Sequence, residues 1–213
     1  MRFKAISLAA PFLIILIPTV CCAQDFSADV VYFAASKNSS QSSKEVVVPQ
    51  HSSRLFVSDD KIRLETRGLI DTILLVDGEE HTSIALFPRQ KEYQYLAGGP
   101  SEYFRVTDAE NACPDWQKAT TQRIACEKIG DEVVNGRQVV KYRNNHASDA
   151  TTSEVWIDAA LKFVVKWQST DIGAELLNIR EEQQAAALFD IPPTYKTLKP
   201  MKGKRTGFAQ HAR

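Results

Sequence analysis

The chain has few residues whose type and spacing could do chemistry. The four histidines, His51, His81, His146 and His211, fall in loop-like sequence, and no two sit at the spacing that puts metal ligands on one helix face. Adjacent carboxylates occur at Asp59-Asp60, Glu79-Glu80 and Glu181-Glu182. Neighbours on a strand point to opposite faces, so adjacency there makes no acid–base dyad. No Gly-x-Ser-x-Gly elbow, phosphate-binding loop or dinucleotide fingerprint is present. Gly98-Gly99-Pro100 reads as a turn, since no helix start follows it. These residues predict no catalytic centre, no metal and no cofactor. An enzyme would need polar groups gathered from distant strands, and is the third of three readings.

The cysteines carry different information. Cys113 and Cys126 have no Cys-x-x-Cys partner and no nearby histidine, so a zinc site is not built from them. Cys21 and Cys22 lie in a leader-like segment. Arg2 and Lys4 precede an apolar run from Ala5 to Val20, and Cys21-Cys22-Ala23 supplies small residues before Gln24. That is the three-part layout of a secretory signal, cut between Ala23 and Gln24. A lipoprotein signal would want a small residue before its cysteine, whereas Cys21 follows Val20. Export leaves two cysteines in an oxidising compartment, which predicts a Cys113–Cys126 disulfide. The mature chain then carries a net charge of −2, and no basic stripe suggests nucleic acid.

Strands must position whatever the chain binds. Phe26 to Ala35 is a β-prone apolar run, followed by a polar loop from Ser36 to Lys44 and an extended Val46-Val47-Val48. Arg54 to Glu65 is a hairpin turning at Ser58-Asp59-Asp60, with Ile62 and Leu64 alternating against Lys61, Arg63 and Glu65. Thr72–Val76, Thr82–Phe87 and Glu92–Leu96 follow, separated by turn residues. Asn135-Gly136 is a strong hairpin signal between Val133-Val134 and Arg137–Tyr142. Glu154–Ile157, Phe163–Gln168 and Glu175–Ile179 read as a meander. Helices are expected only at Asp115–Ala125, after Pro114, and at Glu181–Phe189, before Ile191-Pro192-Pro193. The tail from residue 197 is basic and reads as disordered, with a weak attraction to anionic lipid surfaces.

The pattern predicts a mainly β (α+β) fold: a strongly curved antiparallel sheet or incomplete barrel, with a few short helices in its mouth. Its domain spans residues 24–196. Phe163, Val165 and Trp167 share one strand face, opposite Lys162 and Lys166. Such a stripe builds either a filled core or a concavity for an apolar ligand. Leu55, Val57, Ile62, Leu64, Ile84 and Leu86 are the candidate lining residues, chosen as sharing a strand face; alternation leaves open which face is concave.

The run Ser53 to Glu65, with Ile73 to Gly78 and Ile84 to Pro88, resembles the central hairpins of periplasmic lipoprotein-carrier-like proteins of the LolA/LolB-like superfamily. Val134 to Arg137, Glu154 to Asp158, Leu161 to Lys166 and Leu188 to Tyr195 resemble an exported, uncharacterised branch of it. The resemblance covers roughly residues 26–196 and implies helices lying across a half-barrel whose concave surface receives acyl chains. It also implies an arginine near the first hairpin turn, holding the lid. Asp59 and Asp60 occupy that region, and Arg54 and Arg63 are displaced from it. The expectation is therefore a periplasmic carrier or binding protein for a lipid chain, in outer-membrane lipoprotein handling or a related role. Its partners would be a lipid, a lipoprotein acyl chain or an envelope protein, with transient contact to a membrane surface. The alternative is an envelope interaction or scaffold domain whose core is filled by its own side chains.

Overall fold

A computed structural model describes residues 25–34, 53–68, 70–96, 104–119, 124–146 and 152–198. The leader, the Ser36–Lys44 loop, Val46-Val47-Val48 and the tail beyond residue 198 lie outside the described residues. The strands are β1 (Phe26–Ala34), β2 (Ser53–Ser58), β3 (Lys61–Thr66), β4 (Thr72–Asp77), β5 (Thr82–Phe87) and β6 (Glu92–Leu96). A short helix, α1 (Cys113–Ala119), precedes β7 (Ile124–Val134), β8 (Arg137–His146), β9 (Thr152–Asp158), β10 (Phe163–Gln168), β11 (Ile172–Glu181) and β12 (Lys196–Thr197). It is the single α-helix among the described residues. All twelve strands join one sheet in the order β12-β6-β5-β4-β3-β2-β1-β11-β10-β9-β8-β7. Every described pair is antiparallel except β12 with β6. The sheet is mixed and is not closed into a barrel. The mainly β, curved-sheet fold expected from the sequence is the fold observed.

Turn chemistry sets the register. Asn135 (φ 51°) and Gly136 (φ 78°) both take positive φ at the β7–β8 turn, as a two-residue hairpin requires. Asp59, His81, Lys91 and Lys162 take positive φ at the other tight turns. Asn178 (φ 52°) does so inside β11, where the pairing with β1 slips between Ser27 and Asp29. A bulge at that point bends the strand and increases its twist.

The register then decides which side chains meet. Phe26 lies opposite Val57, Val57 opposite Ile62, and Ile62 opposite Val76. One residue pair further along, Ala28, Leu55, Leu64 and Leu74 form the next row. On the other flank Val30 faces Leu176 and Tyr32 faces Ala174. These rows make one continuous apolar face, and Phe26, Ala28, Val30, Leu55, Val57 and Ile62 are buried in its cluster. Burying each large aliphatic or aromatic side chain there contributes about 1.5–3 kcal/mol.

Both helix expectations need correction. α1 ends at Ala119, and Ala125 belongs to β7, since Cys126 already pairs with Asn144. The segment expected as a helix over Glu181–Phe189 continues β11 through Glu181 and then makes only a 3-10 turn at Ala186–Phe189. The reason is distance. Residues 182–195 must cross from β11 to a strand beyond β6, seven strand spacings or about 33 Å. Fourteen helical residues would span only about 21 Å, so the chain runs as an extended strap. Arg63 Nη1 donates to Leu188 O at 2.7 Å, and Asp25 accepts from Gln184 N at 3.1 Å. The strap continues to Leu198, whose N–H donates to Tyr93 O.

Gly173 gives a direct test of the packing. A Cβ there would lie 2.4 Å from Phe33 Cζ and 2.7 Å from Trp167 O. Gly173→Ala is expected to lower stability by about 1–3 kcal/mol in urea denaturation. Adding Phe33→Ala should restore only part, because the carbonyl of Trp167 stays in place; full restoration would show that the backbone contact is immaterial.

Candidate functional site

The apolar face does not close on itself. It encloses a cavity of about 400 Å³, a volume within the range of small-molecule sites. One wall comes from Val30 and Tyr32 of β1, Leu55 of β2, Ile62 and Leu64 of β3, and Leu74 and Val76 of β4. The other comes from Val155 of β9, Phe163, Val165 and Trp167 of β10, and Ala174 and Leu176 of β11, with Phe104 and Trp116 contributed by the covering segment. Besides Tyr32, the polar members of the lining are Asn144 and Ser153, opposite each other on β8 and β9, and Glu154 and Glu175, each ion-paired to a lysine.

The cover is short and firmly held. The Cys113–Cys126 disulfide joins the first residue of α1 to β7, with Cα atoms 5.6 Å apart. Trp116, 1% exposed, meets Tyr142 edge-on at 5.4 Å. The Tyr142 hydroxyl donates to Ala109 O at 2.8 Å and accepts from Ala112 N at 3.3 Å, so a phenol buried in an apolar cluster has both hydrogen-bonding roles filled. Burial raises its pKa above the ordinary tyrosine value. Asp115 accepts from the amide and hydroxyl of Thr107 at 2.8 and 2.7 Å. A seven-residue helix has little stability of its own, and these fastenings supply it.

Of the residues singled out from sequence, Leu55, Ile62 and Leu64 line the cavity. Val57 shares their face but is fully buried in the cluster beside it. Ile84 and Leu86 do not join them. Ile84 lies opposite Leu75, and Leu86 opposite Ile73, so both project from the other side of the sheet. Strand β5 presents Ser83 and Ala85 to the concave side instead. The choice failed because period two fixes faces within a strand but not between strands. Phe104, in an irregular segment, and Trp116, on the seven-residue α1, also line the cavity; neither stretch is long enough to show a period that would single them out.

The acidic turn has a basic counterpart. Arg105, in the covering segment, lies within electrostatic reach of Asp60, Asp59 and Asp25. Burial pulls its guanidinium below the ordinary arginine range, and those carboxylates oppose the shift. The resemblance places an arginine on the hairpin; here the hairpin is acidic and the arginine is on the cover. Arg54 sits over the Phe56 ring at 4.9 Å, and Arg63 bonds Glu65 at 2.8 Å and the strap.

No family model matches the chain, and no curated protein matches it. Solved structures do. An uncharacterized conserved protein from Thermus thermophilus matches 83% of this chain and 90% of its own, at 8% identity and a TM-score of 0.52. PNGF-II matches 83% of this chain at 12% identity and a TM-score of 0.53, and the chain spans about a third of its length, 31%. A LolA superfamily protein matches as well. That protein, NE2245 from Nitrosomonas europaea, is covered over 90% of its length and covers 79% of this chain, at 8% identity and a TM-score of 0.35. Identities this low speak for the fold alone.

Among the described residues no group of three or more His, Cys, Asp or Glu could hold a metal ion. Nor is any helix there long and apolar enough to cross a membrane.

Two measurements test the architecture of the site. Replacing Cys113 and Cys126 with serine is expected to cost about 3 kcal/mol for a loop with a sequence separation of 13, read from denaturation midpoints. The second concerns Glu154, at the cavity rim, which accepts from Lys141 at 2.9 Å and Arg143 at 3.3 Å. Burial pushes its pKa up, but the hydrogen bonds and charges of Lys141 and Arg143 outweigh it, and the folded value lies below 4.5. Its contribution to stability is therefore complete above that pH and is lost as pH falls through the folded value. Glu154→Gln should flatten the acid limb of the stability–pH curve, and an unchanged limb would remove the group from that role.

Proposed function

We propose that this chain is an exported periplasmic binding or carrier-type protein that holds a lipid acyl chain, or a similar apolar ligand, in the hollow of its curved sheet. The observation that carries the reading is the cavity of about 400 Å³ walled by aliphatic and aromatic side chains from both flanks of the sheet. Apolar burial would drive binding, at about 0.8 kcal/mol per methylene removed from water. The secretory leader read at residues 1–23 supports export, and the cysteine pairing is of the kind kept in oxidising compartments. Binding, not catalysis, fits a lining with so few polar groups. The partner would be a lipid or a lipoprotein acyl chain, met at an envelope membrane.

A scaffold domain with a self-filled core is the weaker reading, because the helix and its flanking turns cover β8–β10 and leave the β1–β4 flank of the hollow unplugged.

Native mass spectrometry of gently extracted protein, with uptake of a fluorescent fatty acid, tests the proposal. Bound lipid and saturable uptake are expected. Leu64→Asp, at a half-buried wall position, should weaken uptake about tenfold or more by placing a charge in the hollow. Val133→Asp, on exposed β7, should leave it unchanged. No bound lipid and no uptake would sink the proposal.

A further inference from the structure

Strands β10 and β11 pair only over Lys166–Gln168 and Gly173–Glu175. Toward its start, β10 has a different neighbour. Val164 N donates to Phe104 O at 2.7 Å, Val106 N donates to Lys162 O at 2.9 Å, and Arg105 bridges to Phe163. At this end, then, residues 104–106 stand where β11 would otherwise continue the wall.

The same end is where the hollow stops. Ile62 and Val76 lie opposite each other there, one residue from the Asp59-Asp60 turn and from the end of β4. Phe163, 1% exposed, is locked edge-on against Phe26 at 5.1 Å. Phe104 stacks on Phe163 with centroids 6.0 Å apart and planes 17° apart. Phe104 also lines the cavity, yet 36% of its surface is exposed. Its ring stacks on one aromatic partner and is part-exposed, whereas Phe163 is buried with rings on two sides. At the opposite end the lining residues Tyr32, Leu64, Leu74 and Trp167 are only half-buried.

We infer that Phe104 is the stop that sets the length of apolar chain this cavity accepts. The inference rests on the apolar-ligand reading above and names the specificity determinant of that site. A linear chain entering between Tyr32 and Trp167 runs along the rows of β1, β3 and β4. Its terminal methyl meets the Phe104–Phe163 pair. Methylenes added short of that point each strengthen binding about fourfold; those added beyond it find no apolar surface.

The test is displacement of a bound fluorescent fatty acid by saturated fatty acids from octanoate to arachidate, on the full mature chain. For the unaltered protein, affinity should rise with length and then level off. Phe104→Ala should move the levelling point to chains longer by roughly three methylenes, and Phe104→Trp should move it to shorter ones. Acids too short to reach residue 104 should bind all three proteins alike, which general damage to the fold would not allow. An identical levelling point in all three proteins, or a uniform weakening at every length in the variants, would overturn the assignment while leaving the apolar-ligand reading intact. Failure of every acid to displace the probe from the unaltered protein would overturn both.

Discussion

A broad sheet with one dry face must bend around that face or leave it in water, and this constraint shapes the rest of the molecule. The rows that begin at Phe26, Val57, Ile62 and Val76 place apolar groups in register across four adjacent strands. Val30 and Tyr32 extend the same face to β11. Twist accumulates from strand to strand, and the β11 bulge at Asn178 adds to it. The face therefore becomes a hollow. Its rows meet those of β9 and β10 across a gap too wide for side chains alone to fill, and that gap is the cavity.

The reverse side is stabilised by different means. Over β8–β10 it interleaves buried apolar groups, Val139 and Trp156 among them, with paired charges. Trp156 lies between Lys141 and Lys166, whose ammonium groups sit 4.7 and 4.8 Å from its ring, and its indole N–H donates to Glu132. Asp158, 2% exposed, accepts from Arg137 and from the amides of Ala160 and Leu161. Arg137 also bonds Glu181, so a buried carboxylate is compensated by a charge that itself spans β8 and β11. Over β3–β5 the reverse side is apolar, with Leu75 and Leu86 buried. The strap after β11 makes contact with β3 there and ends by pairing with β6. It thereby occupies an edge that would otherwise offer free backbone groups for aggregation.

How much of this was legible follows from the range over which each signal acts. Local signals read well. Asn135-Gly136 names its turn because both residues must take positive φ, and the alternation of Ile62 and Leu64 names a half-buried strand. The disulfide follows from the even count of cysteines outside the leader-like segment. Signals that depend on register between strands read poorly: Ile84 and Leu86 alternate as cleanly as Ile62 and Leu64, yet the β4–β5 pairing turns them to the far side. The strap departs from the expected helix for a related reason. Gln183 to Ala187 favours helix by composition, but the span to β6 demands extended chain, and tertiary distance overrides propensity. Phe104 and Trp116 carry no periodicity, so nothing in their spacing announces that they wall the cavity.

The cover and the hollow also depend on one another. Residues 104–106 bond to β10 only because β11 has left it at Lys166, and β11 leaves because its bulge and the bulge in β10 near Val165 turn the two strands apart. Had the two strands stayed paired to their ends, the apolar rows would continue without a break and the covering segment would have no backbone partner. The same departure from regular pairing thus opens the wall, recruits the chain that fills it, and brings Arg105 to the acidic turn that faces it. A short helix pinned by a disulfide then suffices as cover, because its anchoring is shared with a sheet that was already incomplete.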